Sequence, residues 1–141
     1  MTRFSLYGSR QSTTGHPTRG RLQPTGEWHH FAWSRSSNDK IDLSINAAEK
    51  QRIANNESQP NDLILDEIGS SDQQFWAGEL FDVRIFDAAL TLTEIQDVKA
   101  GLDVENPLHH WPLNQGEGSS TEDVIAGNEG SLVGAEWVSP D

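Results

Sequence analysis

A chain of 141 residues with five Trp and five Phe has the size and the large apolar side chains for one domain with a core of its own. Its formal net charge of −12 argues against nucleic acid as a partner, because phosphate repels it. The absence of cysteine excludes a disulfide framework and any thiolate metal site, and no stretch approaches the length of a membrane-inserted span.

In chain order, Arg3 to Tyr7 reads as a short strand, and Gln11 to Thr25, rich in Ser, Thr, Gly and Pro, as a loop. The N-terminal run MTRFSLYGSR lacks the apolar core of a signal peptide. Trp28 to Ser34 alternates as a strand, with Phe31 on one face and His30 and Ala32 on the other. Ser36 to Lys40 is a hairpin turn, followed by a strand whose apolar face is Ile41, Leu43 and Ile45, with Asp42, Ser44 and Asn46 facing out. Ala47 to Arg52 is a loop leading into another strand, Asn55 to Asp62 is turn-like, and Leu63 to Ile68 is a strand ended by GSSD.

The run Phe75 to Ile95, FWAGELFDVRIFDAALTLTEI, is the most structured part of the sequence. Gly78 fits a turn or bulge at a strand entrance. Phe81, Val83 and Ile85 alternate with Asp82, Arg84 and Phe86, as a strand with one buried face does. Thr91 and Glu94 are spaced as a capping box, Leu90 and Ile95 as a hydrophobic staple. Leu92, Ile95 and Val98 share a helical face, and Gly101 is placed for the left-handed position after the helix. The spacing predicts one short helix near residues 92–100. Beyond it, His110 to Asn114 reads as a strand, Gly116 and Gly118 as a turn, Asp123 to Gly130 as a polar loop, and Ser131 to Val138 as a final strand. Many short strands and one helix point to an all-β sandwich.

Charge is unevenly spread. Arg3, Arg10, Arg19, Arg21 and Arg35 fall in the first 35 residues, where Glu27 is the only acid; after Lys99 there is no Lys or Arg, but eight Asp or Glu. Such asymmetry can orient head-to-tail self-association, or simply solvate the surface.

Three segments carry a resemblance. GEWHHFAWSRSSNDKIDLSIN (Gly26 to Asn46) resembles the G-x-W-H-H hairpin of laminin-G-like jellyroll domains, of the concanavalin A-like lectin and glucanase superfamily. LDEIGSSDQQFWAGELFDVRIFDAALTLTEI (Leu65 to Ile95) resembles their closing signature, and HHWPLNQGEGSSTEDVIAGNEGSLVGAEW (His109 to Trp137) is similar to their opening strands. The resemblance implies an antiparallel jellyroll β-sandwich, concanavalin A-like, as a single domain over residues 1–141. It also implies a reordering, because residues 109–138 resemble the opening strands yet stand C-terminally. A circular permutant and an excerpt of a tandem repeat both fit. Strands that usually precede the segment resembling RFSLYGS are not evident, which would leave open sheet edges and makes a homo-oligomer a candidate assembly.

The family often holds calcium, a hard cation suited by oxygen ligands. The resemblance makes Asp123 and Asp82 the candidate ligands. Phe81 stands where the family's strand Asp belongs, deleting a ligand and burying an aromatic instead. His29-His30 and His109-His110 are adjacent on strands, so each pair points to opposite faces and cannot chelate one metal. No catalytic residues emerge: Asp66-Glu67 are neighbours, Glu79 and Asp82 have the wrong parity for one cleft, and no Ser lies in a nucleophile elbow. Among the tryptophans, Trp28, Trp111 and Trp137 occupy positions that are core in the family, and Trp76 is the candidate for stacking on a sugar.

The resulting expectation is a non-catalytic binding or adhesion module that recognises carbohydrate or a protein surface through loops at one end of the sandwich. The alternative is a self-assembling structural protein, such as a particle decoration, coat or oligomeric subunit. The resemblance implies an extracellular, surface or particle-associated setting.

Overall fold

A computed structural model describes residues 3–11, 27–35, 40–48, 51–55, 67–71, 74–76, 78–104 and 107–138. Among the described residues the protein is mostly strand, arranged in antiparallel sheets with one short helix. The main sheet has six strands: β1 (Arg3–Gln11), β2 (His30–Arg35), β3 (Lys40–Ile45), β4 (Gln51–Asn55), β7 (Gly78–Phe86) and β8 (His109–Trp111), ordered β4-β3-β2-β1-β7-β8. Two further pairs are hairpins: β5 (Ser70–Ser71) with β6 (Gln74–Phe75), and β9 (Ser120–Glu122) with β10 (Glu129–Ser131). Among the described residues no second large sheet forms, and no helix is long and apolar enough to cross a membrane.

The helix α1 (Leu92–Lys99) forms where its signals place it. Thr91 and Glu94 make the reciprocal capping box, satisfying N–H groups that an uncapped first turn leaves orphaned. At the other end Gly101 takes φ +75°, and its N–H and that of Leu102 donate to the carbonyls of Val98 and Asp97. Ile95 and Val98 are buried, each worth roughly 1.5–3 kcal/mol of transfer free energy. Ile95 joins a cluster with Ala32 and Ala47, and Leu90 packs against it as the staple requires.

That contact corrects the face assignment of β3. Ala32 is the register partner of Ser44, so both lie on the same side of the sheet as the helix contact. Ser44 is buried rather than outward, its hydroxyl donating to the Ala48 carbonyl at 2.6 Å. Small residues on this face let the helix approach; Phe31 and Trp33 lie on the other, their rings stacked at 6.0 Å. After β3 the chain turns through Asn46 and Ala47, both at positive φ. Asn46 pins the turn by accepting from the His30 N–H and donating its own N–H to the His30 carbonyl.

Other boundaries differ from expectation. β1 runs to Gln11, beyond Tyr7. The described end of the segment expected as a strand, Glu67 and Ile68, is irregular, while Ser70 and Ser71 within GSSD form β5. β8 starts at His109 and stops before Pro112, which cannot donate to a ladder. The polar loop after Asp123 is the connection of the β9–β10 hairpin, and residues 132–138 are not a strand. Residues 12–26, 36–39 and 56–66, with the loop, hairpin tip and turn expected there, lie outside the described residues.

Candidate functional site

The local structure of β7 determines what the site displays. Asp82 adopts φ +55°, a left-handed conformation that Asp tolerates better than most residues. Opposite it, the register with β1 shifts between Leu6 and Tyr7 and again between Tyr7 and Ser9. This is a β-bulge, and it breaks the alternation that the sequence displays. Val83 and Ile85 are fully buried and Arg84 and Phe86 nearly so, so β7 is covered on both faces from Asp82 to Phe86. Phe81 falls on the other side of the bulge and is 39% exposed. The expectation that Phe81 is buried is therefore wrong, because the bulge takes it out of phase with Val83.

Phe81 meets a second residue expected in the core. Trp28 is 44% exposed, and its ring lies edge-on to Phe81 with centroids 6.4 Å apart. Trp28 precedes β2 rather than belonging to it, which leaves it on the rim of the sheet. Trp76 is only half-buried, and its indole N–H is a buried atom without a hydrogen-bond partner. Its backbone N–H closes the β5–β6 hairpin onto the Gly69 carbonyl at 2.7 Å. Trp111 is half-buried with His109 stacked on it at 5.5 Å, and Trp137, also half-buried, donates its ring N–H to the Gly118 carbonyl.

Beneath the bulge lies a buried polar cluster. The Arg84 guanidinium donates to both oxygens of Asp82, at 2.8 and 3.0 Å. His110, on the neighbouring β8, donates from Nε2 to the same Asp82 Oδ1 at 2.7 Å. His109, the adjacent residue, turns the other way and donates from Nδ1 to Asp123 at 2.6 Å. The histidine pair thus divides between two carboxylates, as strand alternation dictates.

Asp123 is 0% exposed. Its Oδ1 accepts from the backbone N–H groups of His110, Ile125 and Ala126, and its Oδ2 from His109 and the Asn128 amide. Burial alone would push this carboxyl up. The His110 N–H, the His109 ring and the N–H groups of Ala126 and Ile125 outweigh it and hold the group well below the usual carboxylate range. As arranged, Asp82 and Asp123 do not fit a calcium site. Their oxygens face N–H donors, and a hard cation needs those same lone pairs.

His30 is buried, and that burial, reinforced by Lys99 and Arg84 against the opposing pull of Asp82, lowers its pKa to about 4. A folded pKa below the unfolded value near 6.5 means that protonation favours unfolding. Stability is therefore expected to fall by up to about 3 kcal/mol as pH drops from about 6.5 to about 4. Denaturant titrations across that range would show this slope, and His30→Gln would flatten it.

Compared with known protein families, residues 1–96 match the concanavalin A-like lectin/glucanases superfamily, as a laminin G-like domain. The chain belongs to this superfamily. Neither the curated proteins nor the solved structures yield a match. The strands and single helix of this laminin G-like domain are consistent with the concanavalin A-like fold. Such domains are generally non-catalytic, which makes a binding module the functional class the family suggests.

The sequence reading made Asp123, in the opening segment, and Asp82, in the closing strand, candidate ligands; the structure bonds Asp123 to His109 and Asp82 to His110, two adjacent residues of β8. The sequence reading missed Trp28 and Phe81 as surface residues and Arg84 as the partner of Asp82.

Proposed function

We propose that this laminin G-like domain is a non-catalytic module that binds carbohydrate, with Trp28 and Phe81 as the stacking surface. The observation that carries the reading is their exposure together, in contact, at 44% and 39%. Apolar sugar faces stack on such rings, and neighbouring Glu27 and Glu79 offer acceptors for sugar hydroxyls. The net charge of −12 disfavours sulfated or otherwise anionic glycans and favours neutral ones. In this reading recognition is independent of calcium, and the domain works at a cell or particle surface as a jellyroll sandwich. The burial of β7 on both faces supports a second layer. The pairing of β8 with β7 supports a permuted domain in which residues 109–138 complete the sheet.

A glycan array probed with and without calcium tests this. Signal from neutral glycans in both conditions is expected, with Trp28→Ala or Phe81→Ala weakening it roughly tenfold or more. Silence in both, or unchanged binding by both variants, would overturn the proposal. Each ring is already well exposed, so truncation leaves the fold standing.

A further inference from the structure

The segment after residue 108 is bonded chiefly to itself. Every bond described for the Asp123 carboxylate ends within residues 109–128. The Val124 N–H donates to the His110 carbonyl, Asp123 to the Asn128 carbonyl and Leu132 to that of Ser119, while the Trp137 ring reaches back to Gly118. Among the described residues, strands β9 and β10 pair only with each other.

Its described hydrogen bonds to the rest of the molecule run to one strand. Val83, Arg84 and Ile85 of β7 are in register with Trp111, His110 and His109. Asp82 takes the His110 ring and donates its N–H to the Pro112 carbonyl, and Leu108 donates to the Ile85 carbonyl. Of the described residues between α1 and β8, Gly101, Leu102, Asp103 and Leu108 are exposed. The partner that fits is a second copy of this chain, because its β7 presents the same register partners to the segment.

We propose that residues 109–138 are an exchangeable strand cassette, able to leave β7 of their own chain and seat on β7 of a second copy. The closed and exchanged forms contain the same cassette bonds and differ only around the connector, so concentration decides between them. A vacated β7 is an open edge bearing Val83, Ile85 and the Asp82–Arg84 pair, which drives recapture of a cassette from either source. The outer side of β8 offers no such edge at His110, because Asp123 and Val124 occupy its N–H and carbonyl. Exchange at β7, rather than strand addition at β8, is thus the route to a second copy. The inference does not depend on the carbohydrate reading.

The test mixes isotope-labelled and unlabelled wild-type chains, concentrates, incubates and dilutes them, and weighs the species by native mass spectrometry. Exchange gives dimers holding one copy of each kind that persist after dilution, because release requires β8 to leave β7. Monomers at every concentration, or dimers that dissolve at once on dilution, would overturn it. A second readout is the double variant Arg84→Cys, His110→Cys, in a chain with no other cysteine. Because the His110 backbone groups point away from β7, the pair is of the close, non-hydrogen-bonded kind, about 4.5 Å between Cα atoms, within disulfide reach. Oxidised at high concentration, it is expected to give chain-to-chain links; links within single chains alone would count against exchange. Should this variant fail to fold, the labelled wild type decides.

Discussion

Asp123→Ala is expected to lower the unfolding free energy by about 3–5 kcal/mol, the range seen when a buried charged group is taken from its partners. The carboxylate is fully buried and joins β8 to the turn of the β9–β10 hairpin. Its removal strands the His110, Ile125 and Ala126 N–H groups. These cannot all turn to water, because Val124 keeps the His110 carbonyl engaged. Asp123→Asn retains an acceptor for the backbone donors but sets an amide against the His109 ring, and is expected to fall about halfway. Chemical denaturation checks both; a loss below about 1 kcal/mol would sink the anchoring role. The pH dependence separates this group from His30. A depressed folded pKa gives stability that is complete above about pH 4, the unfolded value, and lost as pH falls through the lower folded value. Asp123→Ala should therefore remove the loss below about pH 4 while leaving the His30 slope between about 6.5 and 4 intact.

The elements most legible in the sequence are those whose signals are local. The helix needed only the Thr91–Glu94 box, the Leu90–Ile95 staple and Gly101, each a contact within a few residues, and all formed. The strand cores of β2, β3 and β7 were legible from alternation. What alternation does not encode is which face a helix will cover and where a ladder slips. Ser44 looked outward because it is polar, yet its register partner Ala32 lies under α1, and a hydroxyl satisfied by the Ala48 carbonyl can be buried there. Phe81 looked inward because it is apolar, but the bulge at Asp82 is a two-strand property, visible only once β1 is paired. The C-terminal segment defeated local reading differently. Val124, Ile125 and Val133 resemble strand residues, yet all are exposed, Val133 at 87%, because one buried acid rather than an apolar face holds the hairpin in place.

Arg84→Met is expected to destabilise by about 3–5 kcal/mol, since it leaves Asp82 buried with its charge facing only His110. The size of the loss is set by the carboxylate left behind, more than by any intrinsic worth of the ion pair. A test of that distinction is the double variant Asp82→Asn, Arg84→Met. Asparagine tolerates the left-handed backbone at position 82 and carries no charge, so the double variant should be more stable than Arg84→Met alone, with a coupling of about 1–3 kcal/mol. If the two changes simply add, the pair is not the coupled unit that its bidentate geometry describes. The cluster also bears on the cassette. His110 reaches Asp82 from β8, so the double variant weakens the side-chain hydrogen bond that holds the segment to β7. It should therefore speed the mixing of labelled and unlabelled copies relative to wild type. Mixing faster than that of a comparably destabilised variant away from β8, Val98→Ala, would tie the polar cluster to strand exchange, because loss of stability alone would speed both alike.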